Sequence, residues 1–183
     1  VDTEPGEKAI LRLITPFYLA MSAVGLTMIL WRNPGKVFDP LNIPGERPAV
    51  FFLLVVALTA LVHAISRAWH HHSPRARRCA EDLRLTLGKL SPANILWVAL
   101  FSGFGEELLF RGWILNETGL PVSSILFGLI HFPPNRNWLL WPLFAAGLGF
   151  RLGILCLYSG TLLWAVLLHA AINYVNLSFI LRR

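Results

Sequence analysis

The chain reads as an all-α, polytopic transmembrane helix bundle of about six spans, with a four-helix core in its C-terminal half. Three observations predict this. Of 183 residues, 55% are hydrophobic and 14% charged, and the mean hydropathy is +0.58. Several apolar runs approach the roughly 20 residues that a bilayer-spanning helix needs. Most Lys and Arg residues fall between those runs, as expected of loops retained on the cytoplasmic side.

The first apolar run, residues 13–31, is too long for a signal-peptide core and lacks a small-residue cleavage site after it, so it is read as a retained helix. A Pro/Gly-rich loop over 32–48 leads to a second span at 49–66. The following connection is strongly basic. Within it Leu83, Leu87 and Leu90 fall at i, i+4 and i+7, the pattern of a short interfacial helix or of a solvated linker. The third span, 92–115, begins with a proline tolerated in its first turn. The fourth, 120–132, is short for a full crossing and ends at Pro133-Pro134. The fifth, 138–158, carries Ala145, Gly149 and Gly153 at four-residue spacing, a face on which another backbone can pack closely. The sixth covers 160–181. Two regions follow from this: residues 1–91 hold two helices and the basic linker, and residues 92–183 hold the polar motifs.

Sixteen Lys and Arg stand against ten Asp and Glu, but the basic residues form no nucleic-acid-binding pattern, and no nucleic-acid partner is expected. Cys79 lies in the basic connection and Cys156 in an apolar span, so neither a disulfide nor a thiolate metal site is expected. If the 67–89 connection is cytoplasmic, the loops after the third and fifth spans have no Lys or Arg and fall outside. Both termini are then cytoplasmic, in what the Arg-rich composition suggests is a bacterial inner membrane. Asn116-Glu117-Thr118 matches a glycosylation sequon, a short pattern common by chance.

Ionisable side chains inside apolar spans are costly and therefore functional candidates. Glu107 and Arg111 are four apart with the acid N-terminal, the favourable order for a helical ion pair. Glu106, rotated by about 100 degrees from Glu107, has no partner on its own helix. It is free for acid/base work. His131 and His169, on separate helices, can reach Glu106 only if the bundle folds around it. His169 and Asn173 share one helix face, with Asn176 a turn further on, and two neutral donors there can serve an oxyanion. His63 is read as a packing histidine. A purely structural role for the two acids remains open at this level. So does a zinc site built from one Glu and two His, although the chain has no HExxH.

Glu106-Glu107-Leu108-Leu109-Phe110-Arg111 resembles the EExxxR motif of the CAAX protease and bacteriocin-processing (CPBP, or Abi) family of intramembrane glutamic endopeptidases. Phe127 with His131 is similar to its FxxxH motif, and His169 with Asn173 to its HxxxN/D motif. The resemblance covers about residues 94–176 and makes the C-terminal half a catalytic membrane core. It implies that Glu106 and His131 activate water, that His169 and Asn173 stabilise the oxyanion, and that Glu107 and Arg111 organise the site. It implies no metal or other cofactor, and a membrane-anchored protein or peptide in the bilayer as the partner. The substrate is either a CAAX-type lipidated protein or a sorting-signal or bacteriocin-type peptide, as in the myxosortase-like branch. The predicted orientation favours the second group. A non-enzymatic immunity-type binding protein and a transporter or proton channel are the other classes, the last disfavoured by small size and the lack of an inverted repeat. No oligomeric state is expected from the sequence.

Overall fold

The computed structural model describes residues 5–32, 47–132 and 140–182, and every regular element among them is helical. Helix α1 is Pro5–Arg32, α2 Pro48–His72, α3 Pro74–Leu87 and α4 Pro92–Thr118, followed by α5 Leu120–Ile130, α6 Trp141–Ser159 and α7 Leu163–Leu181. Proline stands in the first turn of α2 to α6, where its missing N–H has no intrahelical role. Ser73 and Ser91 cap α3 and α4 by accepting from the N–H groups of Ala76 and Asn94. Gly160, at φ 65°, closes α6 in the left-handed conformation and donates its N–H to the Cys156 carbonyl.

Five helices, α1, α2, α4, α6 and α7, are long and apolar enough to cross a membrane. The remaining apolar segment, the one expected to be short for a full crossing, is α5. Its 11 residues rise about 16 Å, half the roughly 30 Å of a hydrocarbon core. It is instead the return arm of a hairpin. From Glu106 the chain climbs twelve residues to the end of α4, turns at Gly119 and comes back eleven residues to His131. The two arms are nearly equal, which brings His131 back to the level of Glu106. Ser123 fastens the arms by donating to the Phe110 carbonyl at 2.9 Å.

Both ends of the described chain lie at one end of the bundle. The Glu7 carboxylate, in the first turn of α1, accepts from the Ser91 N–H and the Asn94 amide at the start of α4. A negative charge there also complements the dipole of α4. Leu181, at the end of α7, packs with Ile10, Leu90, Ile95 and Val98. The basic connection therefore sits at this same end, with α3 as a true helix. Leu87 joins the cluster from the end of α3, and Leu90 does so from beyond the Gly88 turn.

α4 is the axis of the molecule. A π-helical segment, Leu108–Ile114, follows directly on the carboxylate pair, and insertions of this kind tend to fall at functional sites. α1 packs straight onto it. A Cβ at Gly25 would stand 2.8 Å from the Leu108 carbonyl carbon and the Leu109 nitrogen, so no larger residue fits between the two backbones. α6 closes the other side with the small face foreseen from its spacing: Ala145 is buried with Phe110 and Phe127, and Gly149 faces Arg111 and Phe127. Cys79 and Cys156 are both free thiols.

Candidate active site

Consecutive residues on α4 point to different neighbours, because a step along a helix turns by about 100 degrees. Glu107 turns inward and is completely buried. One of its oxygens, Oε1, accepts from Arg111 Nη1 at 3.0 Å and from His169 Nδ1 at 2.9 Å. Arg111, itself 1% exposed, lays its guanidinium 4.2 Å from the centre of the Phe127 ring. A buried ion pair is tolerable only when both charges are held in this way. Phe127 is the hub, since its ring also meets Phe110, His131 and His169. The aromatic residue in the FxxxH spacing is thus a platform that fixes one cation and two imidazoles.

Glu106, about a third of a turn away, faces the other nitrogen of the His169 ring. Its Oε2 lies 3.8 Å from His131 Nε2 and 3.8 Å from His169 Nε2, and it has no hydrogen-bond partner among the described residues. Those separations are too long for direct hydrogen bonds. The far nitrogen of each ring is committed. His131 Nδ1 lies 2.7 Å from the Phe127 carbonyl, which can only accept, so Nδ1 carries the hydrogen. His169 Nδ1 donates to Glu107, whose charge Arg111 balances. Both rings therefore turn Nε2 toward one carboxylate oxygen.

Asn173 sits one helical turn from His169 and donates from Nδ2 to Ser102 Oγ at 2.9 Å. Ser102 in turn stands one turn before Glu106 and donates to the Ala99 carbonyl. The structure thus gathers Glu106, Glu107, Arg111, His131 and His169 into one cluster and attaches Asn173 about 6 Å along the axis. Asn176 belongs elsewhere: its Oδ1 meets His63 Nδ1 at 3.0 Å between α2 and α7. Exposure is uneven. The His131 side chain is 24% exposed, against 7% for Glu106 and 4% for His169, so the cluster opens past the end of α5. Among the described residues no group of three His, Cys, Asp or Glu side chains is arranged to hold a metal ion.

Two polar neighbours escaped the sequence reading. Tyr18 of α1 places its hydroxyl near the Glu106 carboxylate. Nothing local in the sequence links these residues, which are 88 positions apart. Ser102 did carry a signal, a hydroxyl four residues before Glu106 and so on the same face of an apolar helix.

Fold and site define an integral membrane protein of helical type with a buried Glu–Glu–Arg–His–His cluster at the heart of its C-terminal half. Residues 88–175, just under half of the chain, match the family model described as type II CAAX prenyl endopeptidase, Rce1-like, and this stretch is similar to that family. The match runs from the approach to α4 through Asn173 and includes every residue of the cluster except Tyr18. Over 87 residues the chain is 33% identical to the uncharacterized protein YpbD of Bacillus subtilis (strain 168), a stretch covering 48% of this chain and 46% of that protein. The match thus spans about half the length of the curated relative. No solved structure matches the chain.

Proposed function

We propose that the protein is an intramembrane endopeptidase of the glutamic type, hydrolysing a peptide bond in a membrane-anchored or lipid-modified protein. The observation that carries this reading is the convergence of the two Nε2 atoms on Glu106 Oε2 at 3.8 Å each. A water about 2.8 Å from Oε2 and from an imidazole nitrogen fits such a gap with an angle of about 85 degrees at its oxygen. Two acceptors, Glu106 Oε2 and His131 Nε2, face one point and call for a donor, and water supplies one.

In this mechanism Glu106, helped by His131, takes a proton from the water as its oxygen bonds to the substrate carbonyl carbon. The carbonyl electron pair moves onto oxygen. Asn173 has a second amide hydrogen beyond the one given to Ser102, and it stabilises that oxyanion together with His169 Nε2–H. A protonated His169 brings the buried set of Glu106, Glu107 and Arg111 to zero net charge, which a low-dielectric interior favours. Glu106 then delivers its proton to the leaving amine as the tetrahedral intermediate collapses. Glu107 and Arg111 hold His169 and Phe127 in register.

The substrate reaches the cluster past His131. Glu106 lies about 21 Å along α4 from the basic end of the bundle, roughly two-thirds of a hydrocarbon core. With that basic end cytoplasmic, in a bacterial inner membrane with both termini inside, the cluster lies nearer the external face. A C-terminal sorting helix or secreted peptide then fits better than a cytoplasmic CAAX box, although the family description names prenyl endopeptidases.

The test is cleavage of a membrane-anchored substrate by purified protein in liposomes. Glu106→Gln preserves shape and should lower turnover by about 100- to 10,000-fold, with unchanged yield of folded protein. Wild-type rates in that variant would remove Glu106 as the base. Activity lost to a chelator and restored by zinc would move the site to metal chemistry.

A further inference from the structure

A second site lies at the basic end of the bundle, well away from the buried cluster. A cavity of about 460 Å³ opens between the ends of α2 and α7 and one face of α3, lined by His70, Arg77, Arg78, Glu81, Arg84 and Phe179. Three arginines and one glutamate, all on α3, line it. We propose that this cavity binds the headgroup phosphate of an anionic phospholipid.

The arginines are not equivalent. Arg77 donates from Nη1 to the carbonyls of His70 and His71, so it also closes the end of α2. Arg84 is tied to Glu81 by two hydrogen bonds, at 3.0 and 2.7 Å. Arg78 is exposed and has no partner among the described residues. Its planar guanidinium offers donors in the fork geometry that suits phosphate oxygens. Next to these charges the cavity has an apolar wall, Phe179 and Ile180, with the Arg67 guanidinium 5.4 Å from the Phe179 ring centre. A soluble anion has no use for that wall, whereas a lipid presents phosphate and glycerol-acyl surface together. The position agrees, because α2 and α7, both long enough to span, end here, at the level of the headgroups. Basic pockets between membrane helices bind acidic headgroups by this combination.

The experiment is native mass spectrometry of the full chain released from nanodiscs of equimolar phosphatidylglycerol and phosphatidylcholine. The wild type should retain one phosphatidylglycerol in clear preference to phosphatidylcholine. Arg78→Glu should weaken that retention by about tenfold, and Arg78→Gln, a milder change that tests the site if the first variant folds poorly, by about threefold. Arg75→Glu, an equally exposed arginine of α3 that does not line the cavity, should leave it unchanged. Equal retention of the two lipids by the wild type, or no loss in either Arg78 variant, would overturn the proposal. An equal loss in Arg75→Glu would replace the site with a diffuse basic surface. Displacement of the lipid by millimolar inorganic phosphate would assign the cavity to a free anion instead.

Discussion

α2 and α4 are both membrane helices, and they are packed in opposite ways. α2 is the more apolar, with a mean hydropathy of 2.5, yet only 6% of its most apolar stretch is buried in the protein; α4 has a mean hydropathy of 1.3 and 56% buried. In water the ranking would be reversed. In a bilayer lipid is as apolar as leucine, so α2 gains little by leaving it, and its Phe52, Leu53 and Val56 stay on the outside. α4 carries Ser102, Glu106, Glu107 and Arg111, groups that lipid cannot satisfy. The least apolar of the five membrane-length helices is therefore drawn to the centre, and the others arrange themselves to meet its polar atoms.

If this contrast is correct, damage should scale with a residue's closeness to the polar face of α4. Arg111→Ala should be the most severe change, because it strands the fully buried Glu107 and strips Phe127 of its cation. A loss of about 3–5 kcal/mol is expected for breaking one side of a buried pair. It would be seen as a collapse of the melting temperature in detergent and of yield from membranes; near-normal stability would mean that the cluster is wetter than its burial implies. Asn173→Ala should act on rate and not on folding. Half-buried and one turn from the charges, it should lower kcat by about 100- to 1,000-fold with little change in melting temperature. A loss confined to KM would take it out of the oxyanion role.

Gly149→Ala tests the opposite wall of the same cluster. The added Cβ would stand 2.8 Å from Arg111 Nη2 and 3.1 Å from the Phe127 ring, and overpacking of this kind costs about 1–3 kcal/mol. Gly147→Ala, on the same helix, meets nothing closer than 3.5 Å and should be neutral. Equal melting temperatures for the two variants would show that the ring and guanidinium can give way. The smallest effect is expected in α2. Leu53, 66% exposed, should tolerate alanine within about 0.5 kcal/mol, and a larger loss would point to a partner covering that face.

The helical class and the ion pair were legible because both follow from local spacing. Glu107 and Arg111 stand four apart on one helix whatever the bundle does, and the apolar runs announce α1, α2, α4, α6 and α7. α5 was half legible: its length was visible, but its role as a return arm depends on how far α4 climbs past Glu106. The His63–Asn176 contact shows the limit of face-sharing arguments. Asn176 lies on the same stripe as His169 and Asn173, yet by the next turn α2 has become the neighbour and takes it.

What the sequence by itself determined is the inventory: which helices form, which carry acids, histidines and amides, and which pairs on one helix are bound to meet. These depend on a fixed rise and turn per residue. Only the tertiary structure decided which oxygen each imidazole faces. His131 and His169 sit 25 and 63 positions after Glu106, and their approach is set by the equal arms of the α4–α5 hairpin, by Gly149 making room for Arg111, and by the Phe127 ring lying between them. Tyr18 comes beside Glu106 because Gly105 leaves room for α1, a Cβ there standing 2.9 Å from the Tyr18 carbonyl oxygen. Contacts of this kind arise from backbones packing at close range, and no spacing along one chain encodes them.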